Sequence, residues 1–345
     1  KEWSTFSQVS AFFREGIVGK RADGTSGTIS TVPDIAYDLL TNTKYGAGAF
    51  VPADQVDGGE LDTNMAEARK FCTANNFYWD GVIAERLNIR QWIFEQSAFC
   101  MLSFIVKGGK FSLYPDVPFK KSGEIDYTKD IGGDIKTLFT DGNIRGLQTS
   151  FLSPEERQPF KAVCIWRRDE LDGFPDKRVL VVRLKGHAGG SETDPEETFD
   201  MSQFCTSQEH AEKFAKYALK TRTLVDHGVK FETTPQSALT LEPGDYFDLV
   251  TTVSHPTTGT DSGERLRNGS IDSDGYINGV EIENGSLDIV YWKPGTDALY
   301  TDTINVTDGV VRESFAHGSV FTRDPQSNPV RRTYKAESIT YGEDG

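Results

Sequence analysis

The sequence predicts an α+β fold rich in β-structure, and three features point to it. Its 345 residues include 33 glycines and 14 prolines, a supply of turn formers that favours many short strands. Short apolar runs bounded by Gly-Gly, Pro-Gly, Asn-Gly and Asp-Gly pairs recur along the chain. A few segments instead carry helical periodicity behind a capping residue. Hydrophobic residues make up 37% and aromatics 11%, which suits two or three globular domains.

Residues 1–30 are polar, Gly-containing around Lys20–Gly27, and read as the end of a preceding element. The chain opens on Lys1, as expected of a processed, excised or ordered part of something longer. A first helix is predicted over about 33–43, with Pro33 at its first position and Asp34 complementing the dipole. Ile35, Leu39 and Leu40 give it a short apolar face, and a Gly-containing loop, Gly46–Gly59, follows. A second helix is predicted from an Asp62 cap to about Asn75, with Met65, Ala68 and Cys72 on one face. A third starts near Asn88, with Gln91 answering the cap and Ile89, Trp92, Ile93 and Ala98 as its buried stripe. Met101–Val106 and Phe111–Tyr114, around Gly108–Gly109, form a tight hairpin, because such turns need positive φ.

Beyond Pro118 the composition shifts, and Lys120–Lys129 reads as a linker. Strands are predicted at Lys161–Trp166 and Arg178–Leu184, then an acidic loop at Gly186–Glu197. The strongest helix signal is Thr206–Val225, where Thr206 and Glu209 form a capping box. Ala211, Phe214, Ala215, Ala218 and Leu219 make its apolar face, and Glu209–Lys213 and Glu212–Lys216 are i,i+4 pairs. A strand follows at Gly228–Thr233, then a Pro243–Gly244 type II turn, then a strand at Tyr246–Val253. From Asp261 onward short strands alternate with turns at Asn268-Gly269, Asp274-Gly275, Asn284-Gly285 and Asp308-Gly309. The domain boundaries this implies are 1–30, 31–118, 119–254 and 255–345.

Charge and motifs exclude several functions. The net charge of −15 argues against a nucleic-acid-binding surface, which draws most of its affinity from basic patches. No run approaches the roughly 18 apolar residues of a membrane helix, and no signal-peptide pattern is present. Cys72, Cys100, Cys164 and Cys205 show no CxxC spacing, and Cys72 and Cys100 read as small buried hydrophobes. His187, His210, His227, His255 and His317 fall in no metal-binding spacing, and His210 is expected to be solvated in the first turn of its helix.

No GxSxG elbow or P-loop occurs, and Gly186–Gly190 lacks the strand-then-helix setting of a phosphate cradle. Glu155-Glu156 and Glu196-Glu197 follow prolines and read as solvated loop carboxylates. Asp272–Gly275 resembles the start of a calcium loop, but Ile277 stands where the invariant glycine belongs, so a hairpin turn is expected. Trp79, Trp92, Trp166 and Trp292 are dispersed and read as core or interface residues. The expected catalytic, cofactor-binding and metal sets are therefore empty.

Two regions resemble a known family. One runs through Pro33–Thr41, Ala66–Cys72, Trp79–Ile83, the Trp92-Ile93 helix and Gly108–Leu113. The other runs through Asp141–Ile144, Ser150–Arg157, Glu197–Asp200, Thr206–Leu219, Val229–Thr233 and Leu239–Asp245. In that order and spacing they resemble phage tail proteins related to the lambda-type tip attachment, or host-specificity, protein. The likeness spans roughly 31–254, about two thirds of the chain.

The resemblance implies a tail hub with tail-tube-like β-barrel domains and an α/β module outside them. It implies a homotrimer in the virion, made in the host cytoplasm, that caps the distal end of the tail tube as part of the tip or baseplate. Expected partners are the distal tail protein and tube, the tape-measure protein, other tip or fibre proteins and the host surface. DNA would pass the lumen during ejection without specific binding, and an acidic lumen would repel its phosphates. The family has no catalytic motif to carry over. A lone subunit of such a ring is expected to expose hydrophobic patches. Two alternatives stand beside this one. A virion-associated glycan or peptidoglycan hydrolase would need two facing carboxylates, one with a raised pKa. A receptor-binding module would use the loops Gly186–Glu197 and Thr257–Asn268.

Overall fold

The computed structural model describes residues 16–83, 88–168, 176–184, 195–251, 268–271, 277–278, 284–308, 310–311, 315–316, 318–323, 332–340 and 342. Asp274-Gly275, His187, His255, His317 and most of both proposed contact loops lie outside them. The chain divides into two compact units, 1–129 with 152–226 and 130–151 with 227–345. Elements are numbered in chain order across both.

The first unit opens with a small hairpin of β1 (Val18–Lys20) and β2 (Ser26–Thr28). Helix α1 (Val32–Thr41) follows, capped by Thr31, whose hydroxyl accepts from Asp34 N. Helix α2 (Asn64–Ala74) is capped by Thr63 rather than Asp62, because the Thr63 hydroxyl is the one that reaches Ala66 N. Asn88 caps α3 (Ile89–Phe99) as expected, yet the Gln91 side chain bonds Glu95 instead of returning to the cap. The α3 stripe is narrower than predicted: Ile93 and Ser97 are buried, and Ala98 is exposed. Strands β3 (Leu102–Lys107) and β4 (Lys110–Pro115) pair around Gly108 and Gly109, which take φ of 55° and 78°. Phe71, Phe77, Met65, Ile93 and Leu113 fill the core these elements share.

The rest of this unit is a helix laid on a sheet. Strands β7 (Lys161–Arg168), β8 (Asp176–Val182) and β9 (Glu196–Asp200) stand in the order β8-β7-β9, with β8 antiparallel and β9 parallel to β7. Glu196 and Glu197 thus open a strand instead of lying in a loop: Glu196 pairs with Lys161 at 2.5 Å and Glu197 with Arg222. Helix α4 (Gln208–Leu224) covers one face through Ala211, Phe214, Ala215 and Leu219, against Ala162, Cys164, Trp166 and Val182. Both predicted i,i+4 ion pairs form, at 2.7 and 2.5 Å. The cap is Ser207, whose hydroxyl accepts from His210 N; Thr206 is drawn away to donate to Asp80. Ser207→Ala is expected to cost about 1 kcal/mol of stability, read as a lower urea midpoint; an unchanged midpoint would remove Ser207 as the cap.

The sequence grouped 119–254 as one domain, but 152–226 folds with the helical module. Trp79 and Phe99 pack into the core under α4, and Asp80 N bonds Phe204 O at 2.8 Å. The backbones of Leu152 and Asp226 meet at 3.0 Å, which closes the ends of this segment.

The second unit is almost all β. Strands β5 (Ile135–Thr140), β11 (Tyr246–Val250) and β18 (Arg332–Lys335) form a sheet in the order β18-β11-β5, with β11 parallel to β5. Strands β6 (Ile144–Phe151) and β10 (His227–Thr233) make a two-stranded ribbon, and Ile144, Phe139, Phe247 and Leu249 share one core with Phe231. A short helix, α5 (Pro235–Ala238), precedes the Pro243–Gly244 turn, where Gly244 takes φ of 99°.

The last sheet runs β13-β12-β17-β14-β15-β16, from β12 (Asn268–Ile271), β13 (Ile277–Asn278), β14 (Gly285–Trp292), β15 (Tyr300–Thr307), β16 (Val310–Val311) and β17 (Ser319–Arg323). Asn268-Gly269 therefore opens a strand and is no turn. Trp292 is fully buried, clustering with Leu138, Val250 and Val320, so the last sheet and the β5–β11 sheet share apolar contacts. Residues 255–345 consequently do not stand apart, since β18 completes the sheet of β5 and β11.

Candidate functional site

Three groupings in the structure have chemistry worth weighing, and the first is a chain of thiols around His210. This histidine is fully buried, which corrects the solvated position expected for it. It lies four residues before Phe214, hence only 40° round the helix from that buried ring, a signal available in the sequence. Its Nε2 lies 2.9 Å from Phe99 O and 4.0 Å from Cys100 Sγ, and its ring packs on Phe77 at 4.7 Å between centroids. Its Nδ1 has no hydrogen-bond partner.

All four cysteines are free and buried, as the reading of Cys72 and Cys100 anticipated. Burial, with Cys100 beside it, pushes the Cys72 thiol well up, and burial with Cys205 nearby pushes Cys164 up to about 12. A hydrogen bond from Cys72 draws Cys100 down to about 6 against its burial, and His210 adds to this. Burial pulls His210 down, but hydrogen bonds and charge from Cys100 and Cys205 push it up to about 10. The groups are strung out through the core instead of converging on a point. Among the described residues no set of three His, Cys, Asp or Glu is placed to hold a metal ion.

The second grouping is a carboxylate pair on Arg69. Its Nη1 lies 2.9 Å from Asp23 and its Nε 3.0 Å from Asp34, the latter an ion pair off the line of a hydrogen bond. Asp34 is fully buried and also accepts from Ala22 N and the Thr31 hydroxyl. Burial raises its pKa, outweighing Ala22 and Arg69, whereas at Asp23 the upward push of burial is overcome by the hydrogen bonds from Thr25 and then the charge of Arg69, which together lower it. Two carboxylates pushed in opposite directions suit acid–base work. Here an arginine sits between them and Asp34 is sealed from solvent, so the pair ties the β1–β2 hairpin to α1 and α2.

The third grouping is a surface. Along β7 and β8, Val163, Ile165, Val179 and Val181 alternate with the buried residues and so point away from α4. Val163 stands opposite Val181 and Ile165 opposite Val179, and Val179 and Val181 are 63% and 47% exposed. No described residue packs over them as a core cluster. The predicted exposed apolar patch thus has an address. Of the tryptophans, Trp79 and Trp92 meet edge-on at 5.4 Å, and Trp166 and Trp292 are buried.

No family model matches the chain, and no curated protein matches it. Among solved structures, a chain from the virion of a native gene transfer agent particle is similar over 62% of this chain, with 12% identity and a TM-score of 0.33. The match spans 45% of that neighbour's length. An overlap of that size fixes neither fold nor role.

Proposed function

We propose that the chain is a structural subunit of a phage tail tip, of the hub or tip-attachment kind, and that it catalyses no reaction. The observation that carries this is the uncovered apolar face of the β8–β7–β9 sheet. Large apolar side chains held in regular alternation on a packed sheet, with a helix already on the other side, are the expected surface of a subunit awaiting a neighbour. The order of motifs over 31–254 supports the same reading and names the kind of assembly.

In this role the chain forms a homotrimer that closes the distal end of the tail tube, next to the distal tail protein and the tape-measure protein. It anchors tip or fibre parts that meet the host surface, and DNA passes its lumen during ejection. The hydrolase reading gains nothing from the described carboxylates, because the pair with opposed shifts, Asp23 and Asp34, is bridged by Arg69, and Asp34 is fully buried. Gold-labelled antibodies to the chain, applied to purified virions, are expected to mark one end of the tail. Labels on the capsid, or none on any particle, would overturn the proposal.

A further inference from the structure

We infer that the outer face of the β8–β7–β9 sheet receives the acidic second unit of a neighbouring copy of this chain. The inference rests on the tail-tip reading and adds to it the surface and the partner. The apolar centre is the square of Val163, Ile165, Val179 and Val181. Around it, among the described residues, the same alternation places Lys161, Arg167, Lys177 and Arg183 against Glu196 and Asp200. Four basic and two acidic groups leave this face at +2, in a chain whose net charge is −15. Lys161 is already held by Glu196 at 2.5 Å and Lys177 lies 3.8 Å from Asp200. With these two ion pairs formed, the described residues of the face keep their net charge of +2.

The remaining charge is divided unevenly. The second unit has 11 Lys and Arg against 22 Asp and Glu, or −11, and the first has 26 against 30, or −4. The surface complementary to a basic face with an apolar centre is thus the second unit. Two copies meeting by this face alone would oppose like charges across a desolvated centre, which disfavours a two-fold contact. A contact from the first unit of one copy to the second unit of the next opposes unlike charges. Because its two sides differ, it repeats from copy to copy and closes into a ring when the rotation allows. An apolar centre with a charged rim is also the usual anatomy of a specific interface.

The test mixes unlabelled and nitrogen-15-labelled full-length chain at low salt and couples amines to carboxylates with a carbodiimide. An amide forms between a lysine Nζ and an activated carboxyl, with net loss of water. The expected product joins Lys177 of one copy to an Asp or Glu within 227–345 of a differently labelled copy. In parallel, Val179→Asp with Val181→Asp, and separately Lys177→Glu with Arg183→Glu, should each weaken self-association at least about tenfold by analytical ultracentrifugation. Both pairs lie on the exposed face, and a far-ultraviolet spectrum checks that each variant folds.

Links confined to one copy, links from Lys177 to the first unit of a neighbour, or a chain that stays monomeric would overturn the inference. So would association indifferent to both double variants. Such a result in a chain still found at the tail end would leave the tail-tip proposal standing. The expected links in a chain missing from virions would do the reverse.

Discussion

Replacing His210 with alanine is expected to destabilise the first unit by about 3–5 kcal/mol, the range for removing a large buried ring and its polar contact. The ring fills a space lined by Phe77 and Phe204 and holds the carbonyl of Phe99 at the end of α3. Its loss leaves a cavity and an orphaned carbonyl between α3 and α4, so urea unfolding should show a much lower midpoint with the same end states. A loss under 1 kcal/mol would mean that the ring is a passenger. The pH dependence has a defined sign. The raised His210 contributes stability fully present below its ordinary value of 6.5 and lost as pH rises through about 10. The lowered Cys100 contributes stability present above its ordinary value of 9.0 and lost as pH falls through about 6. The two nearly cancel between these ordinary values, so the pair's contribution is expected to be flat there, to decline in alkali as pH rises from 9.0 through about 10, and to decline slightly in acid as it falls from 6.5 through about 6.

Replacing Asp34 with alanine is expected to cost a comparable 3–5 kcal/mol or so, because it leaves Arg69 as a largely buried cation with one partner fewer. It also strips acceptors from Ala22 N and the Thr31 hydroxyl. Asp34→Asn keeps the shape and an acceptor and should cost less, which separates the charge from the packing. Since burial raises the Asp34 pKa, its contribution is largest below the ordinary carboxylate value and declines as pH rises through the folded value. The alanine variant's deficit, read from urea midpoints, should therefore be larger in acid than at neutral pH. The opposite trend would show that the Arg69 pair outweighs burial.

Much of the local structure was legible because it is written in near neighbours. Asn88, the Gly108–Gly109 pair and the Pro243–Gly244 turn each act within a few residues and lie where their chemistry placed them, while Pro33 is one residue further in, second in a helix that Val32 opens. Caps were harder, since Asp62 and Thr63, or Thr206 and Ser207, are adjacent and equally suitable. Asp80, 126 residues before Thr206, decided one of those choices. Glu196 and Glu197 read as a loop because β7, the strand that pairs them, is remote in sequence, whereas their side chains are solvated as expected, at 61% and 43% exposed. The division into units escaped notice for the same reason: β11 pairs with both β5 and β18, segments about a hundred residues either side. His210 is polar and in a first turn, which favours solvent, but its angle on α4 places it on the buried face. The resemblance implied an apolar patch, but composition could not place it, because strands β7 and β8 become a face only when paired.

The most direct test of the central claim is to image intact particles that contain this chain and to locate it by averaging the density. Copies are expected in a threefold ring around the distal end of a tail tube. A free monomer, or copies confined to the capsid, would contradict it.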